Sequence, residues 1–179
     1  MKRIELTGFT PGDFLGAHAI RAFQKPGRDV AILAGVQIIC FLALTRLEPH
    51  FFMIHLYQLI PYVAIVLLIA YGQERWAYMI GPLVSIGWLI LASTAGLLAS
   101  AIERLRASRA FSMDANLVAF LAILTAAAAV LMTTLCRIHW VKDNAKHGRT
   151  WRTFFVSLAI VLAYYAILLR WFWDMISIA

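Results

Sequence analysis

"ANLVAFLAILTAAAAVLMTTLC", residues 115–136, is a stretch without a single charged side chain. A helix that crosses the hydrocarbon core of a bilayer needs about 17 to 25 mostly apolar residues, and this stretch is long enough. Small residues recur along it at steps of four and three. A face of small residues lets a second membrane helix approach closely. The stretch therefore predicts a spanning helix that packs through Ala115, Ala119, Ala122, Ala126 and Ala129.

Four more apolar stretches accompany it. Hydrophobic residues make up 63% of the 179 positions and charged residues 14%, which is typical of a membrane protein. The stretches lack the alternating pattern of a barrel strand, so helices are expected. The predicted fold is an all-α polytopic membrane protein, a single five-helix bundle over residues 30–175. The spans are expected at about residues 30–46, 51–72, 76–102, 114–137 and 153–172.

The third span carries small residues that match the seam of the fourth. Ala92, Gly96 and Ser100 follow one another at steps of four residues. At this spacing they share one face of a continuous helix. We therefore expect the third and fourth spans to pack together at the centre of the bundle.

Residues 1–29 form a basic segment before the first span. Thr10 is a good N-cap, Pro11 suits the first helical position, and Pro26 ends the pattern, which predicts a short helix over residues 11–25. One side of that helix is apolar and the other is polar. It is expected either to lie on the cytoplasmic membrane surface or to dock on a partner subunit, and both interpretations remain open.

The distribution of positive charge predicts an orientation. With five spans, eleven of the sixteen Lys and Arg residues fall on the side of the N-terminus, which indicates a cytoplasmic N-terminus and an exterior C-terminus. Arg104, Arg106 and Arg109 oppose this assignment. The net charge of +7 comes without a nucleic-acid-binding motif, so anionic lipid is the expected counter-charge and nucleic acid is not a predicted partner. The lack of an Asn-x-Ser/Thr sequon is compatible with a bacterial inner membrane.

The acidic residues are as informative as the basic ones. All nine Asp and Glu residues lie outside the charge-free stretches, and Asp114 is only the first residue of the fourth predicted span. Ion-coupled transporters usually need an ionisable group at mid-depth, so a carboxylate-coupled pump is disfavoured. The motifs of nucleotide hydrolysis, zinc proteolysis and elbow-type serine hydrolysis are missing as well. The sequence therefore predicts no catalytic centre.

The second span carries the first candidate binding site. His55, Gln58 and Tyr62 share one helix face, and Pro61 frees the backbone carbonyl of Tyr57. The simpler interpretation is that His55 makes an interhelical hydrogen bond to Gln37, or to a Ser or Tyr of another span, with no cofactor bound. The alternative interpretation assigns His55 and Gln58 to cofactor binding, with a haem or chlorophyll as ligand or a quinone as hydrogen-bond partner.

A second candidate site follows the fourth span. His139, Asp143 and His147 are spaced by four residues, a pattern that suits a divalent metal ion on one side of a helix. Lys142 and Lys146 add positive charge at the same place. A solvated basic helix end explains the pattern more simply than a metal site does.

Three functions remain for such a chain. The first is an accessory subunit of a larger membrane complex, which packs against partner helices and lipids without a catalytic centre of its own. The second is a homo-oligomeric channel or carrier lined by Gln37, His55, Gln58 and Tyr62. The third is a haem-, chlorophyll- or quinone-binding membrane subunit that uses His55. The first is preferred, because it accounts for the packing seams and the missing catalytic groups together.

Overall fold

The computed structural model describes residues 27–107, 113–143 and 150–176. Within these ranges the chain forms helices and no β-strand. The elements are α1 (Arg28–Leu47), a 3-10 turn (Pro49–Phe51), α2 (Phe52–Ala70), α3 (Glu74–Thr94), α4 (Leu97–Arg106), α5 (Met113–Asp143) and α6 (Thr150–Ile176). The predicted amphipathic helix over residues 11–25 lies outside the described residues.

Five of these helices are long and apolar enough to span a membrane, which confirms the all-α prediction with five such helices. They are α1, α2 with the turn before it, α3, α5 and α6. In the described ranges the acidic residues lie near the ends of these helices, on α4 or in a connection. The middle of each long helix is therefore free of carboxylates in the part of the chain that the structure describes.

Successive long helices run in opposite directions through the bundle. We call one end of the bundle the Asp29 end, where α1, α3 and α6 begin and α2 and α5 finish. The other is the Arg104 end, where α2 and α5 begin and α4 lies. α1 packs on α2 and α5, α3 packs on α2, α5 and α6, and α4 packs on α5. α6 is thus at the edge of the bundle, with α3 as its main neighbour.

The centre of the bundle depends on small side chains of α5 and α3. Ala119 and Ala129 of α5 are buried. Ala122 and Ala126 are partly buried, and the side chain of Ala115 lies outside the described set. A Cβ added to Gly81 of α3 would lie 2.9 Å from the Cys136 Sγ atom of α5. The two helices therefore approach each other too closely for a larger residue at this point.

The structure divides the predicted span over residues 76–102. α3 ends at Thr94, and Gly96 adopts a φ of +72°, in the left-handed region that favours glycine. The N–H of Gly96 donates to the carbonyl of Ser93 at 3.1 Å, which closes the helix end. Ala92 is buried, but the Ser100 hydroxyl donates to the carbonyl of Leu97 in the separate helix α4. Ala92, Gly96 and Ser100 therefore do not form one continuous packing face.

Candidate functional site

A cavity of about 190 Å³ lies at the Arg104 end, between α1, α2, α3, α4 and α5. Its polar lining residues are Glu48, His55, Gln58, Ser100 and Arg104. Its apolar lining residues include Phe41, Leu44, Trp88, Leu91, Ala119 and Ala122. Phe41 precedes Glu48 by two helical turns, or about 10 Å of rise, so the apolar part lies deeper in the bundle than the Glu48 side chain. The cavity is therefore amphipathic along its depth.

Helix α4 forms the part of the lining that the sequence did not predict. Because Gly96 interrupts the long run, residues 97–106 leave the α3 axis and pack against α5. Ala101 of α4 is buried, while Glu103 is exposed. Arg104 is partly buried and lines the cavity. The break at Gly96 thus adds a cation to a site that the other helices leave mostly apolar.

His55 pairs with a carboxylate at the edge of the cavity. Its Nε2 atom lies 3.3 Å from Oε2 of Glu48, and the two side chains are 12% and 30% exposed. Its Nδ1 atom is buried and has no hydrogen-bond partner among the described residues. The predicted bond between His55 and Gln37 is not formed. The Gln37 amide Nε2 donates instead to the carbonyl of Thr125 at 3.0 Å, and the Nδ1 atom of His55 is unpaired within the described ranges but closed to solvent.

Gln58 is the second polar group in the interior of the cavity. The residue is only 9% exposed and lines the cavity, and within the described ranges its side-chain amide makes no hydrogen bond. An amide carries two donors and an acceptor, and buried polar groups are nearly always paired. The Gln58 amide is therefore available to water or to a ligand in the cavity.

The four residues predicted to line a pore separate into two pairs. His55 and Gln58 share the cavity. Gln37 and Tyr62 are 0% and 1% exposed and are not among the lining residues. Tyr62 instead stacks on Phe41, with 5.8 Å between the ring centroids. Within one chain, the structure does not bring all four residues to a common space.

The backbone carbonyl freed by Pro61 has a partner on α6. The hydroxyl of Tyr164 donates to the carbonyl of Tyr57 at 3.3 Å, and the hydroxyl of Tyr57 donates to the carbonyl of Tyr164 at 3.2 Å. Their rings are stacked at 4.8 Å. In lipid a carbonyl released by proline has to be satisfied by a neighbouring helix. The tyrosine pair supplies this partner and ties α6 to α2.

Of the three proposed metal ligands, the structure describes the side chain of His139 alone. The Nε2 atom of His139 lies 2.8 Å and 3.0 Å from the two carboxylate oxygens of Asp29. The His139 ring also stacks on Tyr78 at 5.2 Å. The Asp143 side chain and all of His147 lie outside the described residues, and no group of three potential ligands occurs within them. His139 thus links α5 to α1 through a residue that the spacing pattern did not include.

The volume of the cavity distinguishes between the cofactors considered for His55. Pockets for small molecules usually measure about 300 to 1,000 Å³, and this cavity is smaller. His50, the nearest candidate for a second haem ligand, does not line it. The volume is smaller than full enclosure of a haem or chlorophyll macrocycle requires. It is sufficient for a single six-membered ring, since an apolar cavity of about 150 Å³ can hold benzene.

Comparisons with protein-family models, with curated proteins and with solved structures give no match to this chain.

Proposed function

We propose that the protein is a non-catalytic membrane subunit that binds a small amphipathic molecule in the cavity at the Arg104 end. The observation that carries this proposal is the side chain of Gln58, a residue that is only 9% exposed and lines the cavity. It faces a cavity that is otherwise mainly apolar, and the described chain offers it no hydrogen-bond partner. A ligand with an apolar body and one polar group satisfies both parts of the lining.

The outer surface of the helices supports a location in lipid. Large apolar side chains are exposed along every long helix, among them Ile39, Met53, Ile90, Val141 and Leu162. A soluble monomer rarely exposes so much contiguous apolar surface. In a bilayer this surface faces acyl chains, and the cavity at the end of the bundle lies near the boundary with the head groups. An amphipathic molecule can then enter from the membrane.

The orientation follows from the positive charges. With five crossings, eleven of the sixteen Lys and Arg residues of the sequence fall on the side of the N-terminus, which supports an orientation with the Asp29 end toward the cytoplasm, where anionic lipids balance the positive charge. The cavity at the Arg104 end then opens toward the exterior half of a bacterial inner membrane. Arg104 and Arg106 lie on that exterior side and reduce the charge asymmetry.

Association with other membrane subunits forms part of the proposal. α6 packs mainly on α3, and its remaining faces expose Phe155, Ile160, Leu162 and Trp171. A partner helix covers part of this surface in the assembled complex. The test is mild solubilisation followed by mass spectrometry of the intact assembly. A defined complex with other membrane proteins supports the accessory role, and a protein that purifies only as a monomer contradicts it.

The binding proposal has a separate test with a matched control. Ala122 lines the cavity, whereas Ala127 of the same helix is exposed. We expect the native protein and Ala127→Phe to retain a bound small molecule in mass spectra of the purified protein, and Ala122→Phe to lose it while keeping its helical content. Equal retention by all three proteins contradicts the proposal, as does the lack of any bound molecule in the native protein.

A further inference from the structure

We infer that the ligand of this cavity is the ring of a quinone-type lipid, a neutral six-membered ring that carries hydroxyl or carbonyl oxygens and a long apolar tail. This inference rests on the proposed binding function and specifies its ligand. It concerns binding alone and assigns the chain no redox step. The supporting observations are the size of the cavity, the amide of Gln58, the balance of charge and the aromatic lining.

The dimensions fit a ring and not a larger head group. The volume of about 190 Å³ exceeds the engineered cavity of about 150 Å³ that holds benzene, with some space for ring substituents. The tail does not need to fit inside, because the cavity is partly open at the end of the bundle. The ring occupies the protein, and the tail remains in the lipid.

The amide of Gln58 suits the oxygens of such a ring, because Gln58 lines the cavity and its amide makes no hydrogen bond within the described ranges. It can donate to a carbonyl and can accept from a hydroxyl. Carbonyl and hydroxyl oxygens are the two forms that a quinone and its quinol present. A purely aliphatic ligand leaves the Gln58 amide without a partner.

The charges of the lining favour a neutral ligand. Among the described residues that line the cavity, Glu48 contributes one negative charge and Arg104 one positive charge. These two charges balance. A fatty acid or a phosphate head group would gain from Arg104 but would also meet the carboxylate of Glu48. A dipolar, uncharged ring incurs no such repulsion.

Aromatic residues supply the walls. Phe41, Phe51 and Trp88 all line the cavity. The rings of Phe41 and Trp88 meet edge to face at 6.3 Å, and Phe51 meets the His55 ring edge to face at 6.4 Å. Aromatic side chains bind a flat ring through offset stacking and edge contacts. The aromatic part of the lining therefore suits a flat ring.

In the experiment, the full-length protein in lipid nanodiscs is titrated with decylubiquinone. The heat of binding is measured by isothermal titration calorimetry. Decanol provides the same tail without the ring, and palmitate provides a tail with an anionic head. We expect decylubiquinone to bind and decanol not to bind. Gln58→Leu removes one buried hydrogen bond and is expected to weaken decylubiquinone binding about tenfold. The matched control Gln37→Leu changes a buried glutamine outside the cavity and is expected to leave the affinity unchanged.

The results distinguish a failure of the quinone inference from a failure of the proposed binding function. If palmitate binds, decylubiquinone does not, and Ala122→Phe abolishes palmitate binding, the quinone inference fails while the proposed binding function stands. If no ligand binds and the purified protein carries none, both fail. Decylubiquinone binding that is equally strong in Gln58→Leu also overturns the inference, because the buried amide is then not in contact with the ring. Circular dichroism of each variant verifies that it has folded.

Discussion

Gly87 offers a sharp test of how α6 is held on the bundle. A Cβ added at this position of α3 would overlap Cε2 of Tyr165 and lie 2.8 Å from Cζ of the same ring. The hydroxyl of that ring donates to the carbonyl of Val84 at 2.7 Å. The Gly87→Ala variant therefore has to displace the ring, the hydrogen bond, or both. α6 is expected to loosen from α3.

The expected change in the free energy of unfolding combines one stabilising and two destabilising contributions. Replacing a helical glycine with alanine ordinarily stabilises by about 1 kcal/mol. Overpacking costs about 1 to 3 kcal/mol, and the weakened hydrogen bond costs about 1 kcal/mol more. We expect Gly87→Ala to destabilise the protein by about 1 to 3 kcal/mol in total. Gly35 of α1 has no atom within 4 Å of an added Cβ, so Gly35→Ala is the matched control and is expected to be neutral or slightly stabilising.

The assay is reversible unfolding in mixed micelles with increasing dodecyl sulfate, followed by circular dichroism. A double variant supplies the second readout. Once Tyr165→Ala has removed the ring, adding Gly87→Ala is expected to cost nothing further, because the obstacle is gone. The reasoning is refuted if Gly87→Ala is as stable as Gly35→Ala, or if its cost persists in the Tyr165→Ala background.

Two further predictions concern the packing of α5. Ala129 is fully buried and Ala127 is exposed. Ala129→Leu is therefore expected to destabilise the protein by about 1 to 3 kcal/mol in the same unfolding assay, while Ala127→Leu has little effect. Similar stabilities of the two variants would contradict the burial of Ala129 in the core of the bundle. Asp29→Asn weakens the contact with His139 and, since the Asp29 side chain is 43% exposed, is expected to cost less than about 1 kcal/mol. A cost no greater than that of Glu103→Gln, an exposed acid on α4, would show that the contact contributes nothing.

The five long helices could be predicted from the sequence because each requirement is local. Every apolar run has the length that a bilayer demands, and its acids fall near its ends. The carbonyl freed by Pro61 was predictable for the same reason, since proline acts on the residue four positions earlier. Its partner Tyr164 was not, because that contact joins residues 107 positions apart.

The cavity could be predicted only in part. His55 and Gln58 share a helix face, and that periodicity placed them together. Arg104 was missed because the sequence indicated one long span, in which residue 104 lies beyond the membrane. Gly96 was the signal for a helix end. However, Ala92, Gly96 and Ser100 follow one another at steps of four residues, which also fits a packing face. Likewise, the pairing of His139 with Asp29 spans 110 positions and leaves no local pattern.

The central claim is that five helices cross the membrane in alternating directions. It is tested most directly by cysteine accessibility in sealed, right-side-out vesicles. The probe sites are single cysteines at the exposed positions Arg28, His50, Gln73, Ala107, Trp151 and Trp171. The native Cys40 and Cys136 are buried, so the unsubstituted protein serves as the unlabelled control. We expect an impermeant maleimide to label positions 50, 107 and 171 from outside, and positions 28, 73 and 151 only after permeabilisation. Two successive positions that label from the same side would contradict the five crossings.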